Sequence, residues 1–282
     1  MPNQRQRLIT VQSAVNQIKI LIEKAIRKDG AKGKTSVITS QVPINLLHDA
    51  IKAEFINKGV NSNYIHPAYK SKGEITLHGY LKTKKQDIVI FPNNLNKAEE
   101  KIIVDGLLKD SIDKHGKDLT EATLTVNVRS QLSSVAKNFD TLFERTFAEP
   151  LNFHLRCPNM VLGEFYMINV YEYDDDAIKK KRVAFKGRRS VEKHLKKYIT
   201  SFQSLNNRQT TGRQDYKYER VCLLIVDFNN ATPIIYNTTN ELKSAGLISQ
   251  NSTLNIDNMN FPTFVSSLLS TYETRFGANR FT

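Results

Sequence analysis

The chain is 282 residues long and 40% hydrophobic, enough to bury the core of one large domain or two small ones. Lys and Arg number 41 against 28 Asp and Glu, a formal charge of +13 that favours a polyanionic partner, nucleic acid first, over a surface kept basic for solubility. Two cysteines, Cys157 and Cys222, are too few for a disulfide framework and wrongly spaced for a zinc site. The polar start Met1-Pro-Asn-Gln-Arg-Gln-Arg lacks a signal core and no stretch is long enough to span a bilayer, so a cytoplasmic protein is expected.

Val11, Val15, Ile18, Ile22 and Ile26 recur at helical spacing and predict an amphipathic helix over Leu8 to Lys28. Asp29 to Gln41 reads as a connection, and Pro43 opens a second helix running to about Asn57. Glu54 on that helix reads as a solvent-facing carboxylate. Glu74 to Leu81 and Asp87 to Pro92 read as two strands of a hairpin joined by the basic turn Lys82 to Gln86, and Asn93 to Lys117 as a polar, helical insertion. A strand, Leu124 to Val128, precedes a helix from Ser133 to about His154 whose apolar face carries Leu132, Val135, Phe139, Leu142, Phe143 and Phe147. Phe165 to Tyr171 and Arg220 to Phe228 are apolar strands, Val191 to Leu205 is helical between them, and Asn260 to Phe276 closes the chain as a helix. This order predicts an α/β fold, a mixed central sheet flanked by helices with an N-terminal helical extension. Residues 1–57 form the extension and 58–282 the core, most simply as one continuous domain. No Gly-rich phosphate loop is present, which disfavours nucleotide-cofactor chemistry.

Two strand segments carry the candidate chemistry. Asp87 opens the run Ile88-Val-Ile-Phe91, where it is either a hard oxygen ligand for a divalent metal or a strand-end turn residue. Asn127, Arg129 and Gln131 alternate along the next strand, presenting one polar face while Val126 and Val128 point the other way. Ser130 or Gln131 can contact a phosphate or satisfy backbone. The following helix brings Lys137, Asp140, Glu144, Arg145 and Glu149, with Asp140 and Glu144 at i, i+4 spacing.

Taken together, Gly-Glu-Ile-Thr-Leu-x-Gly-x-x-Lys-x-Lys-x-Gln-Asp-Ile-Val from Gly73, Asn-Val-Arg-Ser-Gln-Leu-Ser-Ser from Asn127, Lys-Asn-Phe-Asp-Thr-Leu-Phe-Glu-Arg-Thr from Lys137 and Gly-Glu-Phe-Tyr-Met-Ile from Gly163 resemble a type II restriction endonuclease of the PD-(D/E)XK superfamily. The resemblance covers about Glu54 to Phe228. It implies a hairpin supplying the first two core strands, a strand-borne Asp and a (D/E)XK strand that bind Mg2+, and a Lys that orients the attacking water. Asp87 matches the Asp, with Gln86 in place of the usual Pro. Asn127 and Arg129 stand where the acid and the Lys belong, so a carboxylate must come from elsewhere, and the helix residue Glu144 is the expected source, with Asp140 the neighbouring alternative. The bland reading of Glu144 is a surface ion pair with Arg145 or Lys137.

The segment Lys179 to Lys197 is dense in cations, among them Lys186, Arg188 and Arg189, and reads either as a phosphate- and base-contacting surface or as a solvated loop. Arg208 to Arg213 is a second polar loop able to reach a groove, and Lys82, Lys84 and Lys85 stand where they can hold the scissile backbone. Asp174-Asp175-Asp176 reads as a solvated turn rather than a metal site. The resulting expectation is a sequence-specific, Mg2+-dependent endonuclease of double-stranded DNA from a type II restriction-modification system, with metal on Asp87, Glu144 and Asn127. A homodimer would match a palindromic target, and a cognate methyltransferase would be its partner in the system. The alternatives are a noncatalytic DNA-binding protein on the same fold and an RNA-binding protein.

Overall fold

In the computed structural model, residues 8–103, 105–135, 139–209 and 212–282 are described. In chain order the elements are α1 (Val11–Thr39), α2 (Gln41–Asn57), β1 (Ile65–His66), β2 (Ile75–His78), β3 (Thr83–Gln86), β4 (Ile88–Ile90), β5 (Glu100–Lys101), β6 (Ile112–Asp113), α3 (Lys117–Glu121), β7 (Leu124–Gln131), α4 (Phe139–His154), β8 (Val161–Asn169), α5 (Asp175–Lys179), α6 (Val191–Leu205), β9 (Arg220–Asp227), β10 (Ile234–Tyr236), α7 (Thr239–Ser244) and α8 (Phe261–Phe276).

Among the described residues, six strands form the main sheet in the order β1-β4-β7-β8-β9-β10. The centre, β7-β8-β9, is parallel, with α4 and α6 as the connecting helices, while β1, β4 and β10 run antiparallel at the edges. Period-two alternation sends Val126, Val128, Phe165, Met167, Cys222 and Leu224 to one face and Leu162, Tyr166, Ile168, Leu223 and Ile225 to the other. The first face is covered by α1, α2 and α8, the second by α4 and α6, which gives a mixed sheet between helical layers. Ala14, Ile18, Leu47, Ile51 and Phe55 belong to the same buried cluster as the first sheet face, so the N-terminal helices complete the core rather than extend from it. Cys157 and Cys222 are buried and unbridged.

Three local expectations change. The connection expected over 29–41 is helical. It is reduced to a kink at Gly30, whose φ of 60° is open to glycine at no steric cost, and a break at Ser40, whose hydroxyl accepts from Val42 N–H to start α2. The insertion expected to be helical forms the short antiparallel pair β5–β6 and loops, because its scattered Ile102, Ile103, Leu107 and Leu108 give no helical stripe. The basic turn of the expected hairpin is itself the strand β3, paired with β2, and the apolar run after it leaves that ribbon for the main sheet as β4.

Candidate active site

Asp87 occupies the single position between β3 and β4 where the chain passes from the ribbon into the main sheet. β4 begins at Ile88, opposite Val126, so β7 beyond that point has no ladder neighbour on this side and Val128 N–H would go unpaired. Asp87 Oδ2 accepts that N–H at 2.7 Å, which anchors one carboxylate oxygen, while Oδ1 lies on the side of α2.

On the α4 and α6 face of β7 stand Asn127 and Arg129, and on β8 Glu164 lies in register with Asn127. The Arg129 guanidinium bridges two buried carboxylates, Nη1 to Glu164 and Nη2 to Glu149 of α4. Pro150 within α4 sets this geometry. Lacking an N–H, it leaves Thr146 C=O unpaired in the helix, and the Tyr218 hydroxyl donates to that oxygen at 2.9 Å beside Arg129 and Glu164. Gln86 Nε2 donates to Glu149 Oε1 at 2.9 Å, and Lys84 Nζ, on the same face of β3, stands 3.3 Å from Glu149 Oε2. The ribbon is fastened by Asn152, one helical turn after Glu149. Its Oδ1 accepts from Leu81 and Lys82 N–H, its Nδ2 donates to Lys82 O, and its carbonyl accepts from Tyr80 N–H. Gly79 permits this approach, since a Cβ there would lie 2.1 Å from Asn152 Nδ2 and 2.8 Å from its backbone oxygen.

From the opposite layer, α2 presents His48 and Lys52 toward Asp87. His48 Nε2 lies 3.8 Å from Asp87 Oδ1, too far for a hydrogen bond. Lys52, 1% exposed, rests Nζ 3.3 Å from the carbonyls of Ala68 and Ser71. Asp87 and His48 both line an open cavity of about 440 Å³ between α2 and the Lys72–Glu74 segment.

Burial dominates the electrostatics of this cluster. Burial pushes the Asp87 carboxyl up to about 6 against the pull of Val128 N–H and Arg129, with Glu149 and Glu74 adding to the rise. Burial pushes Glu164, 0% exposed, up to about 8 although Arg129 opposes it, and Glu149 and Asp87 contribute in the same upward direction. Burial would lower the Arg129 pKa, but Glu164, Tyr218 and Glu149 outweigh it and keep the guanidinium charged. Burial and Lys52 bring His48 down to about 4, so its imidazole is neutral at pH 7. Buried polar atoms without partners also gather here: Gln86 Oε1, Asn127 Nδ2, Glu164 Oε2 and His48 Nε2.

The expected site residues divide. Asp87, Asn127 and Arg129 meet in this cluster, and Lys84, expected as a backbone contact, reaches its rim. Glu144 is exposed on α4 and stands apart. The α4 carboxylate in the cluster is Glu149, and Glu164 joins it from β8. Asp140 is on the surface and pairs with Lys197 at 2.7 Å. Gln131 is turned to the chain itself, its Nε2 donating to Ser133 O. Lys137 lies outside the described residues. Among the described residues no group of three or more acidic, His or Cys side chains converges tightly enough to enclose a metal ion.

The expected DNA contacts also divide. Lys85 is exposed and pairs loosely with Glu74 at 3.4 Å. Arg188, Arg189 and Arg213 are exposed, with an Arg188 nitrogen close over Gly246. Lys186 is held by Glu172 at 3.1 Å and Asp175 at 2.8 Å. Arg208 is instead 4% exposed and paired with Glu219 and Asp215, turned into the chain rather than toward solvent. Positions 210 and 211 of its loop lie outside the described residues. Asp174 caps α5 by accepting from Ala177 N–H, and Asp176 pairs with Lys179. No described helix is long and apolar enough to cross a membrane. Comparison with protein-family models, with curated proteins and with solved structures finds no match to this chain.

Proposed function

We propose that the chain is a Mg2+-dependent endonuclease of double-stranded DNA, of the type II restriction class that its sequence resembles, with Asp87, Glu149 and Glu164 as its acidic set. The observation that carries this reading is the mutual electrostatic influence of three buried or half-buried carboxylates around the β4–β7–β8 junction, two of them with pKa values raised to about 6 and about 8. Sites that must bind a cation and act on a phosphate are where such frustrated charge is retained. The strand order supports it too: antiparallel β1, β4 and β7, then a helical crossover to parallel β8, with Asp87 at the start of the second of these strands.

The donors are the hard oxygens a divalent ion takes: Glu164 Oε2 has no partner among the described residues, Asp87 lines an open cavity, and Mg2+ commonly takes one or two carboxylates and completes its shell with water and phosphate. When bound, the ion would polarise the phosphate and acidify the attacking water. Asp87 and Glu149 would hold it, with Glu164 behind them. Arg129 keeps Glu149 and Glu164 aligned, and Lys84, 30% exposed at its side chain, is placed to meet a backbone phosphate. In the hydrolysis the water oxygen bonds to phosphorus, one P–O ester bond breaks, and the departing oxygen takes up a proton. The target specificity, a homodimer matched to a palindrome and a protecting methyltransferase belong to this proposal.

One observation favours a noncatalytic DNA-binding protein instead: Arg129 already pairs with both Glu149 and Glu164, holding carboxylate oxygens that a metal would otherwise use. Incubation of long duplex DNA with the protein in Mg2+ or EDTA separates the two. Discrete fragments in Mg2+ alone, lost in Asp87→Asn and Glu149→Gln, support the nuclease. Salt-sensitive binding without cutting in any divalent ion supports the other.

A further inference from the structure

The N-terminal layer supplies a group that the acidic set does not explain. His48 is 8% exposed, and its Nε2 has no hydrogen-bond partner among the described residues. A buried imidazole nitrogen left unpaired costs free energy, which its surroundings normally remove. A carboxylate oxygen, Asp87 Oδ1, lies 3.8 Å away. That gap is too wide for a hydrogen bond, yet it is close to the separation of about 3 to 3.5 Å between two donors bonded to one ion at roughly 2.1 Å. The two side chains border the same open cavity, together with Gln41, Ile44, Asn45 and Glu74, so an ion can arrive from solvent. α2 is not free to drift away, since Leu47, Ile51 and Phe55 are fully buried beneath the sheet.

We propose that His48 Nε2 and Asp87 Oδ1 form a nitrogen–oxygen half-site for a divalent transition ion, of the Mn2+ or Co2+ class, opening to the cavity between α2 and Glu74. The inference rests on the nuclease reading only in giving that ion a task, and binding itself is measured without DNA. Mg2+ has little use for an imidazole, whereas Mn2+, Co2+ and Zn2+ accept one. The remaining positions would be filled by water, and Glu74 adds negative charge without being required as a ligand. The site thereby gives α2, a layer otherwise devoted to packing, a share in choosing the ion.

The test is pulsed electron paramagnetic resonance of the full-length protein loaded with Mn2+ alone, with a binding titration in parallel. The expected result is nitrogen-14 coupling from a directly bound imidazole, absent in Asp87→Asn and in His48→Gln. His48→Gln should also weaken Mn2+ by about tenfold or more and change Mg2+ affinity less than about twofold. Mn2+ bound to the unmodified protein with no nitrogen coupling would overturn the proposal, whether or not either variant folds. So would equal Mn2+ affinity in a folded His48→Gln protein. Nitrogen-coupled Mn2+ in a protein that cuts nothing would sink the nuclease reading and leave the half-site standing, while Asp87-dependent cleavage without nitrogen coupling would do the reverse.

Discussion

Two buried carboxylates on neighbouring strands of this sheet meet opposite fates. Glu219 sits just before β9 and is fully surrounded by complementary groups: Arg275 Nη1 at 2.8 Å, Arg208 Nη1 at 3.2 Å, Leu162 N–H at 2.7 Å and His154 Nε2 at 3.5 Å. Burial alone would raise its pKa, but His154, Arg275 and the Leu162 N–H bring it down to about 2. Glu164, one strand away on β8, has Arg129 as its one paired cation among the described residues, shares it with Glu149, and is pushed by burial up to about 8. The first cluster is closed and balanced, so it reads as structure. The second keeps an orphan carboxylate oxygen and two carboxyls above their usual range, the features on which the proposed cation site rests. Residue type does not separate the two, since each combines Glu and Arg. The count of partners does.

The sharpest way to break this comparison is to neutralise one acid in each cluster. Asp87→Asn should reduce DNA cleavage on the order of a thousandfold while leaving the melting temperature at pH 8 unchanged or higher, because Asn still accepts from Val128 N–H and removes a strained charge. Glu219→Gln should do the converse, with a loss of about 3–5 kcal/mol in urea unfolding, since Arg275 and Arg208 lose the carboxylate that compensates them. Equal stability losses in the two proteins would remove the distinction between the clusters.

The next largest effect lies at the ribbon. Asn152→Ala should cost about 2–3 kcal/mol, because Leu81 and Lys82 N–H lose their acceptor, and should lower cleavage as Lys84 and Gln86 lose their fixed approach to Glu149. Urea unfolding with cleavage rates on the same preparations checks both effects.

A further effect is expected in the pH dependence of stability. Asp87 and Glu164 have folded pKa values above their ordinary ones, so their contribution is fully present below about 4 and is lost as pH rises through about 6 and about 8. Glu219 is depressed, so its contribution is present above its ordinary value and is lost as pH falls toward 2. Metal-free thermal unfolding from pH 4 to 9 should decline on the alkaline side in the unmodified protein and flatten in Asp87→Asn/Glu164→Gln. The smallest effect is Lys85→Ala, exposed and loosely paired, which should leave stability unchanged and reduce the salt slope of DNA binding by about one.

Much of the architecture was legible because periodicity is strong where burial is two-sided. The apolar runs at β4, β8 and β9 and the stripe of α1 need little tertiary context. Asp87 was legible as a carboxylate leading an apolar strand. Glu149 was not singled out because i, i+4 pairing drew attention to Glu144, yet Leu142, Thr146, Glu149 and Phe153 share one helical stripe. A carboxylate inside an inward-facing stripe was the available signal. Glu164 carried a similar one, being the lone charge in the fully buried run of β8. His48 and Lys52 carried none that local pattern could reveal, since their meaning comes from α2 packing beside a strand 40 residues later. The burial of Arg208 was not legible because its loop composition is polar, while Glu219, the carboxylate it shares with Arg275, is brought to it only by the fold.

The measurement that bears most directly on the central contrast is the shift of melting temperature produced by millimolar Mg2+ or Mn2+ at pH 8 in three proteins: unmodified, Asp87→Asn and Glu219→Gln. Binding to the folded state alone raises stability in proportion to the logarithm of ion concentration over Kd. A rise in the unmodified and Glu219→Gln proteins that is absent from Asp87→Asn is the predicted result. A rise of the same size in Asp87→Asn, or none in the unmodified protein, would contradict a cation site at the Asp87, Glu149 and Glu164 cluster.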